Sequence, residues 1–273
     1  MATTDQPHGK RARRREQIEG EILRVAREHL ALHGAAALSL RAIARDLGMV
    51  SSGIYRYVES RDDLLTRLII DSYRSLADAV FAAHDAVDAN DLDRRWATIG
   101  FALRQWALDQ PHDFALIYGS PVPDYQAPAD RTAEAGTAVL GLLLRLLQDA
   151  HDQHRLTPVD EALDRALDDE SLDDLAVTAT ALSGAPPSDA VRAVGPMLAE
   201  PFFAGISIGS AALARGLAAW TLLLGAVTSE VFAQLGPVPD ADALFRLHLD
   251  VARSLILLPA QSSTGLSTAV FTA

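Results

Sequence analysis

The 273 residues are enough for one large domain or two smaller ones. The absence of cysteine excludes disulfide bonds and thiolate chemistry and is compatible with a reducing cytosol. The net charge of -12 excludes a uniformly basic surface, but residues 1–67 carry 12 Lys or Arg against 9 Asp or Glu, so only this first quarter can attract a polyanion.

The first 14 residues are polar and then basic, with no apolar stretch behind them. This start predicts a cytoplasmic protein without a secretory signal. We expect residues 1–14 to form a basic flexible arm, and two interpretations of it stay open: a solvated tail, or an arm that contacts DNA. The densest basic run consists of Lys10, Arg11, Arg13, Arg14 and Arg15.

Two helices are predicted in the next stretch. From Arg15 onward, apolar residues recur at helical spacing for about five turns, and Gly34 can adopt the left-handed conformation that ends a helix. Ser39 stands at the N-cap position of a second helix of about two turns, which Gly48 ends.

A short third helix and a long fourth helix follow. Ile54 and Val58 are four residues apart, which indicates a third helix of barely two turns with one apolar face. Ser60 is placed to cap the fourth helix, and Asp62 and Asp63 lie in its first turn, where carboxylates are favourable. A long helix followed by two short ones around a glycine-containing turn is typical of a helix-turn-helix, whose second short helix enters the major groove of DNA.

The spacing of Ile54 and Val58 also predicts which neighbouring side chains face outward. If these two residues pack on the core, at least part of the trio Tyr55, Arg56 and Tyr57 points away from it. Tyrosine hydroxyls and a guanidinium suit phosphate oxygens, so we interpret the outward groups as DNA contacts. For each tyrosine ring, packing in the small core remains an alternative.

Residues 15–65 resemble the DNA-binding domain of the TetR family of bacterial transcriptional regulators. The matching words are AREHLALHGAAALSLRAIARDLGM, residues 26–49, and IYRYVESRDDLL, residues 54–65. The resemblance implies DNA-backbone contacts from Ser39 and Arg41, base contacts from Ser51, Ser52, Gly53 and Arg56, and phosphate contacts from Tyr55, Tyr57 and Arg61. Because serine and glycine side chains are short, Arg56 is the leading candidate for bidentate recognition of guanine.

Beyond the helix-turn-helix domain, residues 15–66, the sequence predicts a helical ligand-binding and dimerisation domain over residues 67–259 and a flexible tail over residues 260–273. The words DFALIYGSPVP and AWTLLLGAVTSEVF resemble the WHG-type C-terminal regulatory domain of the same family. Leu224 stands between Trp220 and Gly225 in place of the histidine of that type.

Prolines at 121, 123 and 128 cannot continue a helix, so this stretch is predicted to be a loop. Aromatic residues lie around it. We interpret them as candidate walls of an effector pocket, and such a lining favours an apolar or aromatic small molecule. The candidate pocket residues are Trp96, Trp106, Phe114, Tyr118 and Tyr125.

The last two predicted helices carry narrow apolar seams with steps of three and four residues, which need further helices to pack on. An intramolecular core can absorb one seam, but a two-fold four-helix interface is favoured. A homodimer of this kind binds a palindromic site. The candidate interface residues are Leu213, Leu217, Trp220, Leu224, Val227, Leu247, Val251 and Leu255.

The sequence contains no HExxH, GxSxG or phosphate-binding glycine motif, so we expect neither an enzyme nor a cofactor. His151 and His154 lack a third ligand nearby in sequence, so no metal site is predicted. The acidic run over residues 160–174 favours a solvated helix face over a cation site, and residues 183–189 favour a loop. The apolar run over residues 211–227 is too short and interrupted for a membrane span.

The function predicted from these patterns is that of an all-α, homodimeric regulator. We expect a repressor that a small, apolar effector releases from palindromic, double-stranded operator DNA. Two alternatives remain: a DNA-binding protein without a small-molecule effector, and an all-helical carrier or enzyme.

Overall fold

The computed structural model describes residues 7–158, 206–208 and 210–259, and its regular secondary structure there is entirely helical. One isolated antiparallel bridge joins Leu156 to Leu257. The prediction of an all-α fold is therefore confirmed. The predicted acidic helix face, the loop over residues 183–189 and the C-terminal tail lie outside the described residues.

Eight α-helices occur in the described ranges. They are α1 (Pro7–His33), α2 (Leu40–Asp46), α3 (Arg61–His84), α4 (Leu92–Asp109), α5 (Pro111–Tyr118), α6 (Ala129–Asp152), α7 (Ser210–Val231) and α8 (Ala241–Ile256). Two single turns of 3₁₀ helix, Ala35–Ala37 and Ile54–Arg56, flank α2.

Helix α1 begins at Pro7, eight residues before the predicted start, so residues 7–14 are helical where a flexible arm was expected. Proline is tolerated in the first turn of a helix, and the arginines that follow are good helix formers. An i,i+4 pair of Arg15 and Glu19, 2.8 Å apart, adds to this preference. At the other end, Gly34 has a φ of 75°, the left-handed conformation predicted for the end of the helix.

The predicted third helix is shorter than expected, since only the single 3₁₀ turn Ile54–Arg56 forms. Serine, glycine, β-branched and aromatic residues dominate this stretch, and all of them are weaker helix formers than alanine or leucine. Gly48, with a φ of 66°, turns the chain between α2 and this segment, as predicted.

The predicted cap of α3 is confirmed. The Ser60 hydroxyl accepts a hydrogen bond from the backbone N–H of Asp63 at 3.0 Å, and the Asp63 carboxylate accepts one from the N–H of Glu59 at 3.2 Å. The first bond satisfies a donor that a helix start leaves without a partner, and the second fixes the chain just before the cap. Ser39 is the N-cap residue of α2, but its side chain makes no capping bond.

The described residues divide into two compact units. Unit 1 falls within Met1–Val87, Thr98–Leu142 and Gly225–Ala241, and unit 2 within Asp88–Ala97, Leu143–Leu224 and Asp242–Ala273. Unit 1 extends past residue 66 because α5 packs against both α1 and α3. The domain division at residue 66 stays a prediction.

Unit 1 has an apolar core built from α1, α2, α3 and the 3₁₀ turn between them. Ile54 and Val58 are both buried in it, as their spacing predicts. Leu116, Val122 and Tyr125 pack against this core from α5 and the loop after it. The core residues are Ile22, Val25, Ala26, Leu38, Leu40, Ile43, Ala44, Ile54, Val58, Leu64, Leu65 and Leu68.

Unit 2 is centred on Trp96, whose indole N–H donates to the carbonyl of Leu249 at 3.0 Å. Nearby, the Asp93 carboxylate accepts hydrogen bonds from Arg155 and Arg253. Within unit 2, α7 buries Leu213 completely. By length and composition alone, Ala212–Val231 also has the character of a membrane span, with a mean hydropathy of 1.3.

Candidate nucleic-acid interface

The surface around the 3₁₀ turn Ile54–Arg56 carries most of the predicted DNA-contacting side chains. Arg41 lies on α2, Ser51 and Ser52 in the turn that follows it, and Tyr55 and Arg56 on the 3₁₀ turn; all five are exposed. Within the part of the chain that the structure describes, these five side chains have no hydrogen bond or ion pair. The apolar helix-turn-helix therefore carries on its outside a polar surface whose five side chains have no partner within the described residues.

Ser39 and Gly53 lie at the edges of this surface and are half-buried. Gly53 approaches the preceding turn closely, since a methyl group on its Cα would lie 3.0 Å from the carbonyl oxygen of Val50. The absence of a side chain at Gly53 thus allows the tight turn that holds Ser51 and Ser52 outward.

The two tyrosines of the predicted trio differ in environment. Tyr55 is 50% exposed. Tyr57 is half-buried and packs against the core of unit 1, while the guanidinium carbon of Arg15 lies 5.8 Å from the centre of its ring. Tyr57 therefore anchors the start of α1 beside the 3₁₀ turn, which corresponds to the alternative of core packing for this ring.

Arg61 departs from the phosphate-binding role that the family resemblance implies. Its guanidinium donates hydrogen bonds of 3.1 Å to the carbonyl oxygens of both Ala35 and Ala36. Because these two carbonyls end the turn after α1, Arg61 holds that turn against α3. In this structure the side chain is a structural tie rather than an outward contact.

Two further exposed side chains belong to this surface, and the sequence reasoning missed both. Val50, just before Ser51, is 74% exposed, and the Arg45 side chain on α2 is 79% exposed. An apolar side chain held in water beside polar contact residues suits the methyl group of thymine. The signal in the sequence was the position of Val50 two residues after Gly48, in the turn between α2 and the 3₁₀ turn.

Two carboxylates hold the helices behind this surface together. The Asp46 carboxylate lies 2.6 Å from Nε2 of His29 and so ties α2 to α1; this hydrogen bond lowers the pKa of Asp46. Burial raises the pKa of Asp63, but hydrogen bonds from Arg67, Arg131 and the Glu59 backbone outweigh it and leave the pKa below its usual value. Both groups are therefore anionic near neutral pH.

Comparison with known protein families supports the resemblance seen in the sequence. Residues 22–68 match the model of bacterial regulatory proteins of the tetR family, and residues 96–252 match the tetracyclin repressor-like C-terminal domain. The second match alone covers more than half of the chain. The chain belongs to the TetR family.

Relatives of this TetR-family chain include regulators and solved structures. The HTH-type transcriptional regulator Rv1816 of Mycobacterium tuberculosis is 55% identical over 133 residues, which cover 49% of this chain and 57% of that protein. This chain thus matches little more than half of the relative's length. The crystal structure of SCO4313, assigned as a regulatory protein, is 32% identical with a TM-score of 0.65, and the match covers 88% of this chain and 97% of that one.

A more distant solved structure shares the fold alone. A protein of unknown function from Rhodococcus sp. RHA1 is 20% identical with a TM-score of 0.59, over 88% of this chain and 95% of its own.

The five aromatic residues predicted to line an effector pocket are divided between the two units of this TetR-family structure. Trp96 belongs to the buried centre of unit 2, whereas the other four belong to unit 1. Trp106 is also buried, and its indole N–H donates to the Ser75 hydroxyl at 3.0 Å. Both tryptophans are therefore buried, each with its indole N–H hydrogen-bonded, and their role as pocket walls stays a prediction.

The other predicted pocket residues lie on or after α5. Phe114 is fully buried, and its ring centre is 5.3 Å from that of Tyr118, which also meets Tyr73 edge-on at 6.0 Å. Burial raises the pKa of both tyrosine hydroxyls. Tyr125 instead shares a 2.9 Å hydrogen bond with Thr66 of α3.

An open pocket of about 510 Å³ lies beside α5, and sequence reasoning did not find it. Its wall comes from the end of α1 with the turn after it, from α5 and the following loop, and from the chain just after α7. None of the five predicted aromatic residues lines it. Lining residues include Leu30, Ala36, His112, Leu116, Val122 and Phe232.

The residues predicted for a dimer interface separate into three groups by exposure. Leu213 and Val227 are completely buried within one chain, so they cannot contribute to a surface between copies, and the prediction is wrong for these two. Leu247 and Val251 on α8 are 58% and 45% exposed. The remaining four, Leu217, Trp220, Leu224 and Leu255, are half-buried.

Proposed function

We propose that this TetR-family protein is a homodimeric, ligand-responsive repressor that a small, apolar effector releases from palindromic, double-stranded operator DNA in the cytoplasm. The observation that carries the DNA-binding half of the proposal is the unpaired polar surface formed by Arg41, Ser51, Ser52, Tyr55 and Arg56. The core already orders the backbone that carries these groups, so binding DNA has only their side chains left to order.

Each side chain of this surface suits a different part of a DNA duplex. The Arg56 guanidinium can bind O6 and N7 of guanine with two parallel hydrogen bonds, which is the commonest specific contact in the major groove. Val50 suits a thymine methyl group. The hydroxyl groups of Ser39 and Tyr55 and the guanidinium of Arg41 suit phosphate oxygens, which fix the register of the protein on the duplex.

A homodimer is supported by the outward face of α8. Leu247 and Val251 lie four residues apart, so one helical face presents two large apolar side chains to solvent in the single chain. Covering this face with the same face of a second copy removes apolar surface from water and produces two-fold symmetry. Two symmetric helix-turn-helix units then read two half-sites about one helical turn or more apart.

Helix α5 provides the physical link between an effector and the DNA-binding surface. Asp113, in its first turn and buried, accepts hydrogen bonds from Ser72 of α3 at 2.5 Å and from Arg27 of α1 at 3.3 Å. A shift of α5 therefore displaces the helices that frame the recognition surface. An effector acts through this link only if it binds the DNA-incompetent arrangement more tightly than the DNA-competent one.

The aromatic cluster on α5 supports an apolar effector with one polar group. The Tyr118 hydroxyl has no hydrogen-bond partner among the residues that the structure describes, and its half-buried ring packs beside Phe114 and Tyr73. A hydrogen-bonding group on an otherwise apolar molecule would pair with this hydroxyl. Thermal-shift screening of such compounds tests this half, because a specific effector raises the Tm of the folded protein.

The test of the DNA-binding half is selection of duplexes from a random library by the purified full chain. The selected sequence and a scrambled version are then compared by fluorescence anisotropy over a salt series. We expect an inverted repeat, saturable binding that prefers it, and an affinity that falls as salt rises. Absence of binding to either duplex at low salt would contradict the proposal.

A further inference from the structure

The arginine-rich start of α1 is a helical surface whose place in the proposed function is not yet assigned. Arg11, Arg13 and Arg14 are exposed, and within the described ranges their side chains make no hydrogen bond or ion pair. Because this stretch is helical, the direction in which each guanidinium points follows from its position along α1.

The face of α1 that packs on the core of unit 1 changes from apolar to basic toward the N-terminus. Ile22 is fully buried, and Ile18 packs partly buried against the same core. At about 100° per residue, Arg14 and Arg11 lie on this same face, one and two turns before Ile18. Helix α1 thus extends beyond the core of unit 1 toward its N-terminus. In this extension, the helical face that packs on the core further along carries guanidinium groups instead of apolar side chains.

Arg15 fixes where this basic face lies. Its guanidinium is over the ring of Tyr57, the residue that follows the 3₁₀ turn Ile54–Arg56, and it is also paired with Glu19 at 2.8 Å. The pairing leaves Arg15 occupied. Arg11, one turn beyond Arg15, and Arg14 therefore extend from the edge of the recognition surface with their charge available.

We propose that Arg11 and Arg14 form a second DNA contact, a rigid helical face that binds phosphates of the duplex next to the stretch read by the helix-turn-helix. This inference rests on the proposed function, since it needs the recognition surface to be on DNA. Guanidinium groups pair with phosphate oxygens through charge-assisted, often bidentate hydrogen bonds. The contact adds affinity and lengthens the protected site, and it carries no base preference.

The same helix offers a matched control for the loss of charge. Arg13 and Arg24 are exposed and lie on the face of α1 opposite the buried Ile22, and Arg24 is paired with Glu28 at 2.5 Å. The double variant Arg13→Ala/Arg24→Ala therefore removes two charges from the side of the helix that faces away from the core. The variant Arg11→Lys/Arg14→Lys keeps both positive charges on the proposed DNA-contacting face of α1. These two double variants and the test variant Arg11→Ala/Arg14→Ala change only exposed positions. Circular dichroism with thermal melting verifies that all three fold.

The experiment measures anisotropy of the full chain on its selected duplex, with at least six further base pairs on each side, over a salt series. For Arg11→Ala/Arg14→Ala we expect the slope of log affinity against log salt to fall by roughly 1.8 per protomer, about 0.9 for each phosphate contact. We expect the same base preference as the wild type. The lysine variant retains the slope, and Arg13→Ala/Arg24→Ala leaves it unchanged.

Two results would overturn the inference while the proposed function stands. One is an unchanged slope in Arg11→Ala/Arg14→Ala on a duplex that the wild type binds, and the other is an equal loss in both alanine double variants, which would show a general effect of net charge. A wild type that binds no duplex overturns the inference together with the proposed function.

Discussion

At the scale of single residues, charged side chains in the DNA-binding half serve either as internal ties or as outward contacts. Asp63 is an internal tie, because its carboxylate caps the start of α3 and also contacts Arg67 at 2.9 Å and Arg131 at 3.0 Å. Asp62, next to it, is 58% exposed. Comparing variants of Asp63 and Asp62 therefore tests how much the contacts of the Asp63 carboxylate contribute to stability.

We predict that Asp63→Asn lowers the free energy of unfolding by about 1 kcal/mol at neutral pH, whereas Asp62→Asn changes it much less. Because the pKa of Asp63 is lowered in the folded state, its charge stabilises the fold above the ordinary pKa of 3.8. This contribution is lost as the pH falls below that value. Urea denaturation at pH 7 and at pH 3 checks it; a difference between the two variants that persists unchanged at pH 3 would contradict the explanation.

The sequence could assign residue types to the recognition surface but could not separate outward arginines from internal ones. Arg56 and Arg61 are five residues apart in the segment IYRYVESRDDLL, and the family resemblance implies DNA contacts for both. The structure exposes Arg56 but pairs Arg61 with two carbonyls of the turn Ala35–Ala37. That pairing joins residues about 25 positions apart, and no local pattern encodes it.

At the scale of helices, α5 is a short element whose position depends on a buried polar contact. Ser72 of α3 donates to the Asp113 carboxylate, which also accepts a hydrogen bond from Arg27 of α1 at 3.3 Å and is only 8% exposed. A buried carboxylate that loses a hydrogen bond is destabilised by the cost of its desolvation. The contact is therefore expected to stabilise both the fold and the link from α5 to the DNA-binding helices.

We predict that Ser72→Ala lowers the free energy of unfolding by about 1–3 kcal/mol. Ser254→Ala, which removes an exposed hydroxyl from α8, is the matched control and is expected to change it by less than about 0.5 kcal/mol. Chemical denaturation of both variants makes the comparison. If Ser72→Ala is as stable as the wild type, the contact to Asp113 does not hold α5 in place.

Long helices followed well from the sequence, and short or terminal ones did not. Apolar spacing and capping predicted α3 closely, because a helix of many turns repeats its signal and Ser60 marks its start. The segment around the 3₁₀ turn Ile54–Arg56 offered only one apolar pair, Ile54 and Val58. Such a pair is compatible with one helical turn as well as with two. The start of α1 was misjudged because its arginines match the composition of a disordered arm and of an exposed helix alike.

At the scale of the whole molecule, the proposed dimer depends on surface that a single chain leaves uncovered. The sequence predicted apolar seams in α7 and α8, but spacing alone cannot distinguish a seam that faces the chain's own core from one that faces a second copy. Burial makes the distinction, since Leu213 and Val227 face inward while Leu247 and Val251 face solvent. The exposed pair is therefore the place to test assembly.

We predict that Leu247→Glu/Val251→Glu raises the Kd of the dimer at least about 100-fold, because burying two carboxylates without partners is costly. Leu235→Glu is the control, since Leu235 is 57% exposed and lies outside α7 and α8. Sedimentation velocity over a range of protein concentrations gives the Kd of each variant. Dimers of the double variant that are as stable as those of the control would exclude the α8 face from the interface.

The central claim, that the surface around the 3₁₀ turn reads DNA, is tested most directly by the base preference of Arg56→Ala. Anisotropy is measured for the wild type, Arg56→Ala and the α1 control Arg24→Ala on the selected duplex and on duplexes with each base pair replaced. We expect Arg56→Ala to lose about 1–3 kcal/mol of binding free energy and its preference at one guanine per half-site, with Arg24→Ala unchanged. An Arg56→Ala variant with the affinity and base preference of the wild type would contradict the account.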